Sequence, residues 1–133
     1  MKVLALDYGA ARTGVAVSDP TGTLARPLEV VERAASDEGL ARVRELVARE
    51  GVERVVVGLP LTLRGEHGKQ AQETERFIES LRAVVPVPVE TIDERFTTTL
   101  AERDAGDAPA DARAAAHLLS TYLERVGSGS GTT

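Results

Sequence analysis

The sequence predicts an α/β fold on one mixed sheet: three antiparallel strands first, α/β crossovers after them, and helices on both faces. Three observations carry this. Up to Val31 the apolar residues come in short blocks separated by turn residues, as in strands. After Ser36 they recur at helical spacing, interrupted by short β-branched runs. The opening KVLALDY is apolar on both faces, with Val3 and Ala5 alternating with Leu4 and Leu6, which suits the middle of a sheet covered on both sides.

Each element follows from local signals. Gly9-Ala10-Ala11-Arg12 connects the first strand to TGVAVSD, a second strand paired as a hairpin. Asp19-Pro20-Thr21-Gly22 is a turn with proline and glycine where a type I turn favours them. A third strand lies near Leu24 to Val31, and Pro27 puts it at an edge. Leu40, Val43 and Val47 mark a helix that stops near Gly51. VERVVVGLP is a buried strand, and LTLRGEHGK leads to a helix of about 14 residues carrying Phe77, Ile78 and Leu81. PVPVETIDER is the last strand and TTTLAER starts a helix. Asp107-Ala108-Pro109 opens the final helix, which is expected to run to about Arg125. Residues 1–126 then form one domain, and the GSGSGTT of residues 127–133 reads as a disordered tail.

A chain of 133 residues can bury a substantial core, and 42% apolar with 28% charged residues is ordinary for a globular protein. No apolar run approaches the roughly 20 residues of a membrane span, so no membrane partner is expected. The opening MKVLALDYG lacks a small-residue cleavage site. With no cysteine in the chain, the expected location is the reducing cytoplasm. The absence of cysteine also removes thiolate metal sites and cysteine nucleophiles. A net charge of −5 works against nucleic-acid binding. Against that, 14 of the 16 basic residues are arginine, whose planar fork suits phosphate.

Three acids stand where structure alone does not ask for them. Asp7 lies near the end of the first strand, on the face of Val3 and Ala5. Glu94 ends the last strand, and in open α/β sheets ligands collect at such carboxyl ends. Asp111, in the first turn of the final helix, shares a stripe with Ala115, Leu118 and Tyr122 and is expected to point toward the sheet. A lone buried carboxylate is costly, so three converging acids with only two histidines suggest a hard cation, Mg²⁺ or Mn²⁺, held by oxygen. Such ions are the usual equipment for phosphodiester hydrolysis. Structural alternatives remain for each acid: a turn cap for Asp7, helix-dipole stabilisation for Asp111, and a solvated ion pair with Arg95 for Asp93 and Glu94.

LALDYGAARTGVAVSD, GLPLTLRGEHGKQAQETERFIESL, TIDERFTTTLAER and DARAAAHLLSTYLER occur in this order and span most of the chain. They resemble the YqgF family, also called RuvX, bacterial proteins with a ribonuclease H-like fold. The resemblance implies a metal-dependent nuclease that matures the ends of pre-16S ribosomal RNA or resolves Holliday junctions. It places the catalytic and metal-binding acids on Asp7, Glu94 and Asp111, and substrate-binding positions on Gly9, Arg12, Arg95 and Thr97. It implies nucleic acid as partner. RNA is expected ahead of DNA junctions because junction resolution demands a stable dimer and the sequence encodes no obvious dimer face, with a homodimer left open. Two features depart from the family pattern. Ala10 and Ala11 stand where relatives carry a basic residue, and DAGDAPA before Asp111 replaces a longer Lys/Arg-rich segment.

Other readings are weaker. Gly9 to Gly14 has P-loop glycine spacing but continues into Val15 and a hairpin, without the Lys-Ser/Thr that phosphate binding needs. The same hairpin is similar to the phosphate loop of sugar kinases and actin-like ATPases, which need two such domains. A non-catalytic RNA-binding module would lack one of the three acids. His67 is expected in a solvent-facing loop, and His117 on the helix face opposite Asp111. Arg42, Arg44 and Arg49 read as a solvated face.

Overall fold

The computed structural model describes residues 1–60, 67–93 and 110–130, with 127–130 as backbone only. Strand β1 (Val3–Asp7) is central because both of its faces are apolar: its first four residues are buried and Asp7 half-buried. It pairs antiparallel with β2 (Arg12–Ser18) and parallel with β4 (Arg54–Leu59). Strand β3 (Ala25–Glu32) adds antiparallel to β2, and β5 (Val89–Asp93) adds parallel to β4, giving the order β3-β2-β1-β4-β5. Pro27 does lie on an edge strand. Beside it the β2–β3 register shifts between Val15 and Ala16, and Leu28 is left without an opposite partner.

Helix α1 (Asp37–Glu50) begins at Ser36, whose hydroxyl accepts from the Gly39 N–H at 3.1 Å. Asp37 and Glu38 in its first turn complement the positive helix end. It ends at left-handed Gly51, whose N–H reaches the carbonyls of Val47 and Ala48. Helix α2 (Lys69–Arg82) has the expected 14 residues. Leu40, Val43, Leu46 and Val47 of α1 and Phe77, Ile78 and Leu81 of α2 cover one sheet face, packing on Leu4, Leu6, Val15, Val17, Val55 and Val57. Removing a ring as well packed as Phe77 by mutation to alanine would cost about 3–5 kcal/mol.

Helix α3 (Ala110–Ser130) covers the other face alone among the described helices. Its buried stripe of Ala115, Leu118, Leu119, Tyr122 and Leu123 packs on Val3, Ala5, Ala16, Val56 and Ile92. It continues past Arg125, where the sequence suggested an end, to Ser130. Once a helix is formed each further residue adds a hydrogen bond, so even glycine and serine can extend it. The helix expected in TTTLAER and the Asp107–Pro109 cap lie outside the described residues.

Candidate active site

Asp7 sits at the carboxyl end of β1, two residues beyond Ala5 on the α3 face, and pairs across the hairpin with Gly14. Gly14 explains how the start of α3 comes so close. A Cβ at residue 14 would fall 1.8 Å from the Asp111 backbone carbonyl oxygen, so only glycine admits the helix there. The two acids thus belong to one corner: Asp7 on the strand, Asp111 on the helix lying over that strand's partner.

The carboxylate of Asp111 is less buried than the stripe predicted. Its side chain keeps 41% of its accessible surface and stands 3.4 Å from the Nε of Arg12. The reason is position: Asp111 is at the helix start, where α3 reaches the end of the sheet, while the stripe residues Ala115, Leu118 and Tyr122 lie over it and are buried. Neither acid is therefore a buried lone charge; both open onto the rim, and Arg12 at 67% exposure is free to turn outward.

The connection before Arg12 is tight. A Cβ on Gly9 would meet the Arg12 carbonyl oxygen at 2.5 Å. The Thr13 hydroxyl is fully buried and bridges to the backbone of Gly9 at 3.4 Å, while the Arg33 N–H donates to the Ala11 carbonyl at 3.0 Å. These contacts anchor the loop that carries Arg12. Ile92 of β5 packs on the α3 face, and Asp93 ends that strand opposite Leu59 of β4. Glu94, Arg95 and Thr97 lie outside the described residues. His67 is exposed, with Nε2 3.6 Å from a Glu75 carboxylate oxygen, and His117 is half-buried on α3. Arg42 is committed to structure: its guanidinium clasps Glu29 of β3 at 2.6 and 2.8 Å and reaches Glu45 at 2.9 Å, contacts that hold it protonated well beyond the ordinary range.

Two groupings were not anticipated. At the other end of the α3 face Arg54 donates from a terminal nitrogen to the Tyr122 hydroxyl (2.8 Å), and that hydroxyl donates to Glu90 Oε2 (2.7 Å). Arg54 Nε lies 2.9 Å from the same oxygen but off the line a hydrogen bond needs. Burial, opposed by the Arg54 bond and reinforced by Glu90, pushes the Tyr122 phenol up. Beside Asp7, a cavity of about 240 Å³ opens between Tyr8, Pro60 and the first turns of α2. A glycine inside TGVAV was the available sign of close backbone approach. Glu90 within VETID was the corresponding sign of a polar partner across the sheet.

A 3-2-1-4-5 mixed sheet, helices on both faces and acids at the carboxyl end of its central strand define a ribonuclease H-like protein. RuvC of T. thermophilus, solved with a Holliday junction substrate, shares this fold with TM-score 0.61 at 21% identity, covering 96% of each chain. The Fowlpox virus Holliday junction resolvase shares it with TM-score 0.55 at 12% identity, covering 94% of this chain and 99% of that one. The sequence matches the RuvX family, described as Holliday junction resolvase, over residues 1–125, and the chain belongs to that family. A relative from Rubrobacter xylanophilus is 48% identical, covering 95% of this chain and 94% of its own. One from Chloroflexus aggregans is 45% identical and covers 92% of each. Both carry the name "Putative pre-16S rRNA nuclease".

Proposed function

We propose that this member of the RuvX family is a divalent-metal-dependent nuclease of the cytoplasm that hydrolyses phosphodiester bonds in RNA, with the ends of pre-16S ribosomal RNA as its substrate. One observation carries the reading: Asp7 and Asp111, 104 positions apart in the numbering of one chain, share the corner over Gly14. The donors suit Mg²⁺ or Mn²⁺, being carboxylate oxygens with no sulfur available. The corner also accepts positive charge, since the Arg12 guanidinium already stands against Asp111. Among the described residues no three potential ligands gather, so Glu94 is assigned as the third acid on the family motif alone.

In this reading Asp7, Glu94 and Asp111 hold the ion, which when bound supplies Lewis-acid stabilisation of the phosphoryl group and an activated water. Arg12, exposed and tied to the corner by one long ion pair, turns to clamp a phosphate oxygen, and Arg95 does the same from the segment after Glu94. Gly9 and Thr13 keep the Arg12 loop from sagging into the acids, and Thr97 is assigned to substrate on the motif.

The names of the relatives favour RNA, and the short segment before Asp111 removes basic residues that a junction would engage. The description of the family favours the second reading, a Holliday junction resolvase, which needs two active sites in a stable dimer. Cleavage assays on RNA, single-stranded DNA and four-way junctions with Mg²⁺ and Mn²⁺ separate them. RNA cleavage that stops in EDTA supports the proposal. Symmetric paired nicks in the junction, faster than RNA cleavage, would replace it with the second reading.

A further inference from the structure

We propose that the cavity beside Asp7 is a guanine pocket, taking the base of a nucleotide that flanks the phosphate at the acidic corner. The inference rests on the nuclease reading for what brings the base there, and on the cavity itself for what it selects.

The cavity lies where β1 ends, on the side opposite Asp111, and its volume of about 240 Å³ is below that of drug-sized sites and suited to one heterocycle. Its walls are Asp7, Tyr8, Pro60, Gln70 and Glu73, together with small residues. The Tyr8 ring is fixed by stacking on Phe77, with centroids 4.4 Å apart and planes 17° from parallel. Gln70 and Glu73 are three residues apart on α2 and so share a face.

Among the described residues the side-chain polar functions of this wall are unspent. The Thr74 hydroxyl donates to the Gln70 carbonyl at 2.9 Å, but the Gln70 amide, the Glu73 carboxylate and the Tyr8 hydroxyl make no hydrogen bond among the described residues. Nor does Glu73 form an ion pair with Lys69 or Arg76 of its own helix. Glu73 is nevertheless near enough to Tyr8 that its charge, after burial, helps to raise the phenol, with Arg76 opposing.

A half-buried carboxylate beside a nucleic-acid path repels phosphate, so the groups of a nucleic acid that it can accept are the neutral donors of the bases. Unstacked bases present such donors on their Watson–Crick edges. Adenine, cytosine and uracil each offer a carboxylate a single donor group there. Guanine alone offers two side by side, N1–H and the N2 amine, matching the two carboxylate oxygens. The Gln70 amide is then placed to donate to the O6 or N7 acceptors of the same base.

The test is fluorescence anisotropy of a labelled hexauridylate and of versions with one uridine replaced by guanosine, inosine or adenosine, on the full chain with Ca²⁺ in place of Mg²⁺. Guanosine should tighten binding by about tenfold over adenosine, the scale of one good bidentate contact. Inosine, lacking the N2 amine, should fall between them. Glu73→Gln, at a half-exposed helix position, should bring the four probes to within about twofold, and Gln70→Ala should reduce the preference in part. Equal affinities in the unmodified chain, or a preference untouched by Glu73→Gln, would overturn the pocket. RNA cleavage without guanine preference removes the pocket and leaves the nuclease reading standing. Guanine preference without cleavage of any nucleic acid supports the pocket and removes that reading.

Discussion

The two ends of the α3 face hold similar side chains in different states. At the amino end of the parallel strands, Arg54, Glu90 and Tyr122 are joined by contacts of 2.7 to 2.9 Å. At the carboxyl end, Asp7, Asp111 and Arg12 share only one long contact of 3.4 Å, and two of the three are open to solvent. Charges that satisfy one another hold the helix in place; charges that do not are available to something else. The first corner fixes α3 so that the second can keep its acids close without being closed over them.

The largest expected effect breaks the open corner chemically. Asp7→Asn should cut metal-dependent cleavage by about 10²–10³-fold, the scale of losing one electrostatic group aimed at a transition state. Its melting temperature should match or exceed that of the unmodified chain. Cleavage within a factor of two would end the claim that this corner is catalytic.

Gly14→Ala tests whether the closed corner alone sets the position of α3. The added methyl meets the Asp111 backbone, so the helix start must shift. We expect a loss of about 1–3 kcal/mol in denaturant unfolding, typical of overpacking. Cleavage should fall as well, because Asp111 moves with the backbone. Activity retained at full level in a stable Gly14→Ala protein would show that Asp111 is not held by this contact.

Tyr122→Phe is the counterpart at the closed end. Removing the hydroxyl takes the acceptor from the Arg54 terminal nitrogen and a donor from Glu90, leaving only their 2.9 Å ion pair, at a cost of about 1–3 kcal/mol in thermal or denaturant melts. The rise in melting temperature expected on adding Mn²⁺ should survive, since the ion is proposed to bind at the other corner. Asp111→Asn should do the opposite. It loses an exposed ion pair worth at most about 1 kcal/mol, and it loses most of the Mn²⁺ response.

The smallest effect concerns acid. Asp19, in the turn near the closed end, accepts from the backbone N–H groups of Leu24 (2.9 Å) and Thr23 (2.8 Å) and from the Thr21 hydroxyl, which hold its carboxyl far below the usual range. A depressed folded value means that its contribution is present above the unfolded carboxylate range and is lost as pH falls through it. Asp19→Asn keeps an acceptor but cannot titrate, so the fall in stability between about pH 4 and pH 2 should be shallower, measured by urea midpoint against pH.

The sheet and its helices were legible because their signals are local. Pro27 marked the edge, Ser36 and Gly51 bounded α1, and the double-faced Val3 to Leu6 run marked the centre. The place of Asp7 followed from strand alternation. What sequence could not supply was convergence between distant segments. Arg54 and Tyr122 meet across 68 positions, and Tyr8 meets Phe77 by stacking, with no periodicity to announce either. Helical phase put Asp111 in the right stripe, yet phase does not report where along its length a helix overhangs its sheet, and that decides exposure.

The bulge at Leu28 reaches beyond the site. An outer strand with an unbroken row of free N–H and C=O groups invites a second chain to add to it, the first step of edge-to-edge aggregation. Here Pro27 carries no N–H, the unpaired Leu28 disturbs the pleat beside it, and exposed Arg26 and Glu32 put charge near either end of the strand. Sheet extension through β3 is thereby disfavoured. A self-associating form of this chain would then have to use a surface other than the β3 edge of its five-stranded sheet.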